Sequence, residues 1–353
     1  MAGIEAIIYA TVIFAVVCII YGLVLLRRIK VSADFLAAER ALPWYAVSMG
    51  VALSPLGSGH TIGITETGFL VGLTAIWFSI CFGALFMPWC FYGLGSWIRS
   101  LGVTSVPEAF GVLYDSTARK LSSLPNFAFS FCIAGIEIIC ISYAVYGLTG
   151  LPFPLCIAIS TVLSILYIVF AGLMQMSYLN ALLAIVMYAG MYFGLFWLLL
   201  YDLPVKVGIT AEQVVSTLIE AGQGFKLVMF ASPEIVASIV IPMSIFALFG
   251  CGSLQMPMQA AFGAKDLAHV RKGLLPAAIV NSLSTIPWAV TGVMASVIPA
   301  FAERGPSFGP IDLMSSVLHP AVLAAIMISL LVANISTSGG HVLAATIVGI
   351  HDI

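Results

Sequence analysis

The chain has 353 residues, 61% of them hydrophobic and only 8% charged, with a mean hydropathy of +1.14. A water-soluble domain carries about 25% charged residues, so this composition excludes one and describes a polytopic membrane protein. A formal net charge of −2 says nothing about nucleic acid and no Lys/Arg cluster suggests it, so no nucleic acid is expected as a partner and the lipid bilayer is.

Apolar runs near the roughly 20 residues that cross a bilayer place nine spans, at about 4–26, 44–65, 69–97, 123–147, 152–171, 178–201, 232–256, 274–299 and 320–345. The first run is too long for a signal-peptide core and has no basic leader or small-residue cleavage site, so it is expected to remain as a helix. The seven cysteines lie in apolar runs without CxxC or other metal spacing, which points to buried, inert thiols and implies no cofactor. With the N-terminus outside, Arg27, Arg28, Lys30, Arg40, Arg99, Arg119, Lys120, Lys265, Arg271 and Lys272 fall on one side. Only Lys206, Lys226 and Arg304 fall on the other. The positive-inside bias makes the richer side cytoplasmic, with the C-terminus inside. A multi-pass protein of the cell membrane follows.

In the second span, Ser54-Pro-Leu-Gly-Ser-Gly-His-Thr61 interrupts the apolar run. Pro55, Gly57 and Gly59 are poor helix formers. In lipid, broken backbone survives only where it is buried in protein or lines a polar cavity. With His60 and Thr61 at the break, two readings stand: an ion or solute site, or a kinked helix with a packed histidine. Between spans three and four, Thr104-Ser-Val-Pro-Glu108 predicts a short interfacial helix, from a capping residue, a proline and an acid in order. In the long outer loop 202–234, the stretch from Thr210 to Glu220 predicts an amphipathic helix across the outer mouth.

A second interruption, Gly250-Cys-Gly252 with Pro257, lies five spans after the first, with Gln255 and Gln259 beside it. Paired interruptions at corresponding positions of two halves mark an inverted-repeat transporter. The first repeat is expected over about 44–201. The second begins near 232 and holds three of five helices by residue 353, all in one transmembrane domain over 1–353.

The last span holds Ala333-Asn-Ile-Ser-Thr-Ser-Gly-Gly340. Ser336 and Thr337 share a face with the Ala333 carbonyl, three and four residues earlier. Hydroxyls and freed carbonyls suit a weakly held alkali cation, and a Ser/Thr cluster also serves as helix-packing glue. Glu66 and Glu137 lie within spans, where a carboxylate costs at least about a few kcal/mol and is a functional hypothesis by default. Glu66 is read as lying near the outer interface. Glu137 is open between a cation site, a proton acceptor and a protonated helix contact. His341, on the Thr337 face, pairs with His60 as a proton-sensitive couple or is a solvated inner-end residue.

Four segments resemble the sodium/solute symporter family. Gln259-Ala-Ala-Phe-Gly-Ala-Lys-Asp266 resembles its glutamine-then-"AAK" segment. Thr104-Ser-Val-Pro-Glu108 resembles its "T(I/V)PE" segment, and Phe35-Leu-Ala-Ala-Glu-Arg-Ala-Leu-Pro-Trp44 its "FLAGRSLPWW" segment. Ser336-Thr337 followed by Asp352-Ile353 resembles its eighth core helix. The resemblance covers essentially the whole chain. It implies an all-α, LeuT-like inverted repeat with broken first and sixth core helices and an extra N-terminal helix.

It also implies a sodium site formed by the carbonyls of Leu53, Leu56 and Ala333 with the hydroxyls of Ser336 and Thr337. His60 and Asn281 fall at positions of polar solute ligands, and Ser79 is a weaker match. Gln255, beside the second interruption, joins them as a substrate-side candidate or serves only the broken backbone of its own helix. Sodium-coupled symport of a small organic solute by alternating access is the implied activity, with Na+ as coupling ion. Proton coupling through Glu137 or His60, and a transporter-like sensor that binds without transport, are the alternatives.

Two departures stand out. Asn180 and Ala260 replace an acid and an arginine that can interact in family members, and Pro55 replaces an aspartate carried by some. The ten-helix core implies two helices beyond Ile353, so the chain reads as a fragment, expected to be inactive until they are supplied. No nucleophile–base spacing, HExxH or phosphate loop points to an enzyme. Solute identity and oligomeric state are not readable.

Overall fold

A polypeptide in lipid must satisfy each backbone N–H and C=O within itself, which turns apolar runs into helices. A computed structural model describes residues 2–53 and 55–353; Ser54, the first residue of the interrupted stretch, lies outside the described residues. Among the described residues six helices are long and apolar enough to cross a membrane: Ser58–Leu101, Ser116–Tyr143, Gly172–Val207, Pro233–Ser253, Leu267–Val297 and Pro320–His351. Thr11–Leu26 and Phe153–Leu166 are shorter apolar helices.

The expected span 44–65 is two helices, Trp44–Ala52 and Ser58–Val71. Leu53 ends the first in helical conformation, while Gly57 precedes the second in extended backbone. The expected gap after residue 65 is absent. Helical backbone runs on to Val71, and a 3-10 turn beginning at Gly72 leads directly into the next span. Gly72 is needed there, since its φ is +75° and a Cβ would meet the Lys226 backbone at 2.2 Å. The second break sits at Leu254, in extended backbone between Cys251–Ser253 and Gln255–Phe262.

The last helix, Pro320–His351, is the centre of the bundle, with the unbroken run from Leu330 to His341 buried. It packs against the long helix Ser116–Thr149 and against Gly172–Trp197. Elsewhere small residues set the helix spacing. A Cβ on Gly292 would lie 2.1 Å from the Thr65 carbonyl oxygen, and one on Gly68 would lie 2.5 Å from that of Ala289. Without a hydrophobic drive between helices in lipid, such close approach supplies the packing.

The resemblance-bearing segments meet at one end of the bundle. Leu42 and Ala264 form a parallel bridge, in which Leu42 N–H donates to Gly263 O (3.0 Å) and Lys265 N–H to Leu42 O (3.0 Å). Arg99 Nε donates to Ala264 O (2.9 Å). The predicted interfacial helix is Val106–Leu113, capped by the Ser105 hydroxyl, which accepts from Glu108 N–H (3.0 Å). The amphipathic helix of the long loop is Ala211–Glu220. Thr210 caps it, with reciprocal bonding to Gln213, and Val214 and Leu218 are buried.

Candidate functional site

The break at 53–57 leaves carbonyl groups outside any helical ladder, and the last helix crosses it. Thr337 Oγ1 donates to Leu53 O at 3.3 Å. Leu53 O also accepts from Leu56 N–H (3.1 Å), which brings these two residues together near the Thr337 hydroxyl. Leu53, Leu56, Ala333, Ser336 and Thr337 are all buried. Carbonyls and hydroxyls are hard donors of the kind alkali cations take.

Ser336 is held differently. Its hydroxyl donates to Asn180 Oδ1 at 2.7 Å, and the same oxygen accepts from Tyr167 Oη at 2.5 Å. Spending its proton on Asn180 leaves the Ser336 oxygen's lone pairs for another partner. Asn180 thus keeps the acceptor role that an aspartate would fill there, without the charge.

The other half of the break faces Glu137. The carboxylate sits at the N-terminus of Ser58–Val71, where Oε2 accepts from Gly59 N–H (3.0 Å), the Ser58 hydroxyl (3.1 Å) and Asn334 Nδ2 (3.1 Å). Asn334 also donates to Ser58 Oγ and to the Glu137 carbonyl, each at 2.6 Å. A helix N-terminus carries partial positive charge and unpaired N–H groups, and an anion satisfies both. Gly57 makes room, since a Cβ there would lie 2.2 Å from the carboxyl atoms.

Glu137, His60, Thr337 and His341 line one cavity of about 640 Å³, together with residues of both breaks, among them Pro55, Leu254 and Pro257. His60 packs its ring edgewise on Phe78, with centroids 4.1 Å apart, and its Nε2 has no partner among the described residues. His341 lies with its ring tilted against Phe129 (5.9 Å between centroids) and is buried with Nδ1 unpartnered among the same residues.

The remaining candidates lie elsewhere. Ser79 is buried against the Ser284 hydroxyl (2.7 Å), and Asn281 Nδ2 donates to Ala52 O (2.7 Å), bracing the first half-helix. Gln255 bridges the second break to the 104–108 segment. Its Oε1 accepts from Val106 N–H (2.8 Å), and its own N–H donates to Asn126 Oδ1 (2.8 Å). Glu66 lines a separate small cavity with Trp288 and Pro310. Sequence reasoning passed over Asn334 and Ser58, the two residues whose side chains bind Glu137. A polar residue at the centre of an apolar helix was the signal available for Asn334.

A central cavity bounded by two broken helices is the architecture of a secondary transporter. The family model for the sodium:solute symporter family matches residues 35–353, and the chain belongs to that family. It is therefore a multi-pass membrane transporter and not an enzyme. Its fold is that of a Na+-coupled sialic acid symporter solved in a substrate-bound, outward-open state. The match has a TM-score of 0.84 at 16% identity and covers 99% of this chain and 74% of that one. No curated protein matches in sequence.

Proposed function

We propose that the protein is a sodium-coupled symporter of a small organic solute that works by alternating access. The observation that carries the reading is the Thr337 hydroxyl on the Leu53 carbonyl, which ties the last helix to the first break with oxygen donors. Sodium held by the carbonyls of Leu53, Leu56 and Ala333 and the hydroxyls of Ser336 and Thr337 joins these two elements. The tie favours the solute-ready state, and its release lets the bundle rock. The solute occupies the cavity beside His60. The repeats comprise residues 44–201 and, from 232 onward, the second, with the N-terminus outside and the C-terminus cytoplasmic.

The test is uptake by proteoliposomes from a pooled library of labelled metabolites, with and without an inward sodium gradient. Sodium-driven uptake is expected for the product of the full-length gene. The double change Ser336→Ala/Thr337→Ala should raise the sodium concentration for half-maximal uptake by about 10- to 100-fold, the value of a charge-assisted contact or two. Uptake that follows a proton gradient and ignores sodium would refute this coupling.

A further inference from the structure

The central cavity has an electrostatic character that narrows the solute. Among the described residues that line it, Glu137, on the long helix Ser116–Thr149, is the one carboxylate beside His60 and His341, and none is Lys or Arg. Three donors converge on one carboxylate oxygen, Oε2. The residue is only 5% exposed, and it lines the cavity. A buried carboxylate in lipid remains costly, and a cation beside it offsets that cost.

Two further features bear on what that partner is. The half-helix N-terminus that would receive a solute's carboxylate is already filled by the protein's own, so an anionic solute would meet repulsion there. The rest of the lining is apolar and aromatic, including Phe78, Phe82, Phe129 and Phe246. Ring faces attract cations, and this holds most strongly where water is excluded. A volume of about 640 Å³ lies within the range of small-molecule sites and exceeds what a bare metal ion needs. His341 Nδ1, buried and unpartnered among the described residues, adds a polar contact for a hydroxyl or amine on the same solute.

We infer that the transported solute is an organic cation, an ammonium or guanidinium compound with an apolar body, whose charge pairs with the carboxylate of Glu137. This deepens the symport reading and rests on it for the word "transported", but the binding claim is tested apart from it.

The purified protein would be screened by thermal shift in sodium chloride. The panel comprises tetramethylammonium, benzylammonium, phenethylammonium and benzylguanidinium, with 2-phenylethanol and 3-phenylpropanoate as neutral and anionic counterparts. Stabilisation by at least one cation and by neither counterpart is expected. Glu137→Gln should weaken that cation by about 10- to 100-fold, the worth of a hydrogen-bonded charge, and leave sodium stabilisation intact.

Several outcomes would overturn the inference: a response to phenylethanol or phenylpropanoate instead of the cations, no response to any cation, or unchanged cation affinity in the variant. Loss of sodium stabilisation in Glu137→Gln, with cation binding retained, would make the carboxylate an inorganic cation ligand and overturn it as well. Cation binding that depends on Glu137, in a protein that shows no sodium-driven uptake, would uphold the inference and sink the symport reading alone.

Discussion

Glu137 and Gly57 are matched residues. The carboxylate reaches the start of Ser58–Val71 only because residue 57 has no side chain, and Ser58 and Asn334 then hold it from two other helices. Gly57→Ala should push the carboxylate off Gly59 N–H. Overpacking of that kind costs about 1–3 kcal/mol, and a buried carboxylate deprived of its donors adds to it. A lower melting temperature, with loss of whatever solute response the wild type shows, is expected. A variant as stable as wild type would mean that the carboxylate moves aside freely. The sequence exposed Glu137 as an intramembrane acid, because composition alone makes such a residue conspicuous. Asn334 and Asn180 were less visible, since their partners lie 197 and 156 residues away on other helices. Ser336 illustrates the same limit: its spacing from Ala333 was readable, while its hydrogen bond to Asn180 required the fold.

At the level of elements, the end of the last helix is locked to the 104–119 segment. His351 Nε2 lies 3.1 Å from Glu108 Oε2, and Arg119 Nε donates to Asp352 Oδ1 at 2.8 Å. Arg119 also donates to the His351 carbonyl (2.7 Å). Glu108 is tied to its own turn as well, accepting from Thr104 N–H at 2.7 Å and from the Thr104 hydroxyl at 2.9 Å. Burial alone would raise the Glu108 carboxyl. The Thr104 donors and His351 outweigh that and hold it below the ordinary carboxylate range.

A depressed acid contributes stability that is complete above its unfolded value and is lost as pH falls through the folded one. Thermal melts of the protein should therefore fall on the acid side of about pH 4.3, and Glu108→Gln should flatten that limb while lowering the neutral plateau. Parallel acid limbs in the two proteins would remove Glu108 from the account. The Ser105 cap and the Pro107 position were legible because capping is a local rule. The His351 and Arg119 contacts were not, because they join residues more than 230 positions apart.

For the whole molecule, the paired breaks were legible five spans apart, since Pro and Gly announce them in any apolar run. The span count was less so: local hydropathy has no means of telling a helix that turns at Gly72 from two helices. What the breaks do together depends on the ion proposed between them. Sodium held at the proposed site of Leu53, Leu56, Ala333, Ser336 and Thr337 would bind only the folded bundle, and so would stabilise the protein by mass action. At a concentration about 100 times its dissociation constant, the gain is about 2.7 kcal/mol. Melting temperature should rise with sodium chloride and not with equimolar potassium chloride, which controls for ionic strength. The rise should vanish in Ser336→Ala/Thr337→Ala and persist in Ser79→Ala, whose hydroxyl is paired with Ser284 away from the break. Equal stabilisation by sodium and potassium would place the effect outside a selective site. Sodium stabilisation that survives the double change would move the ion to other oxygens, because the bundle offers the Leu53 carbonyl no other side-chain hydroxyl donor among the described residues.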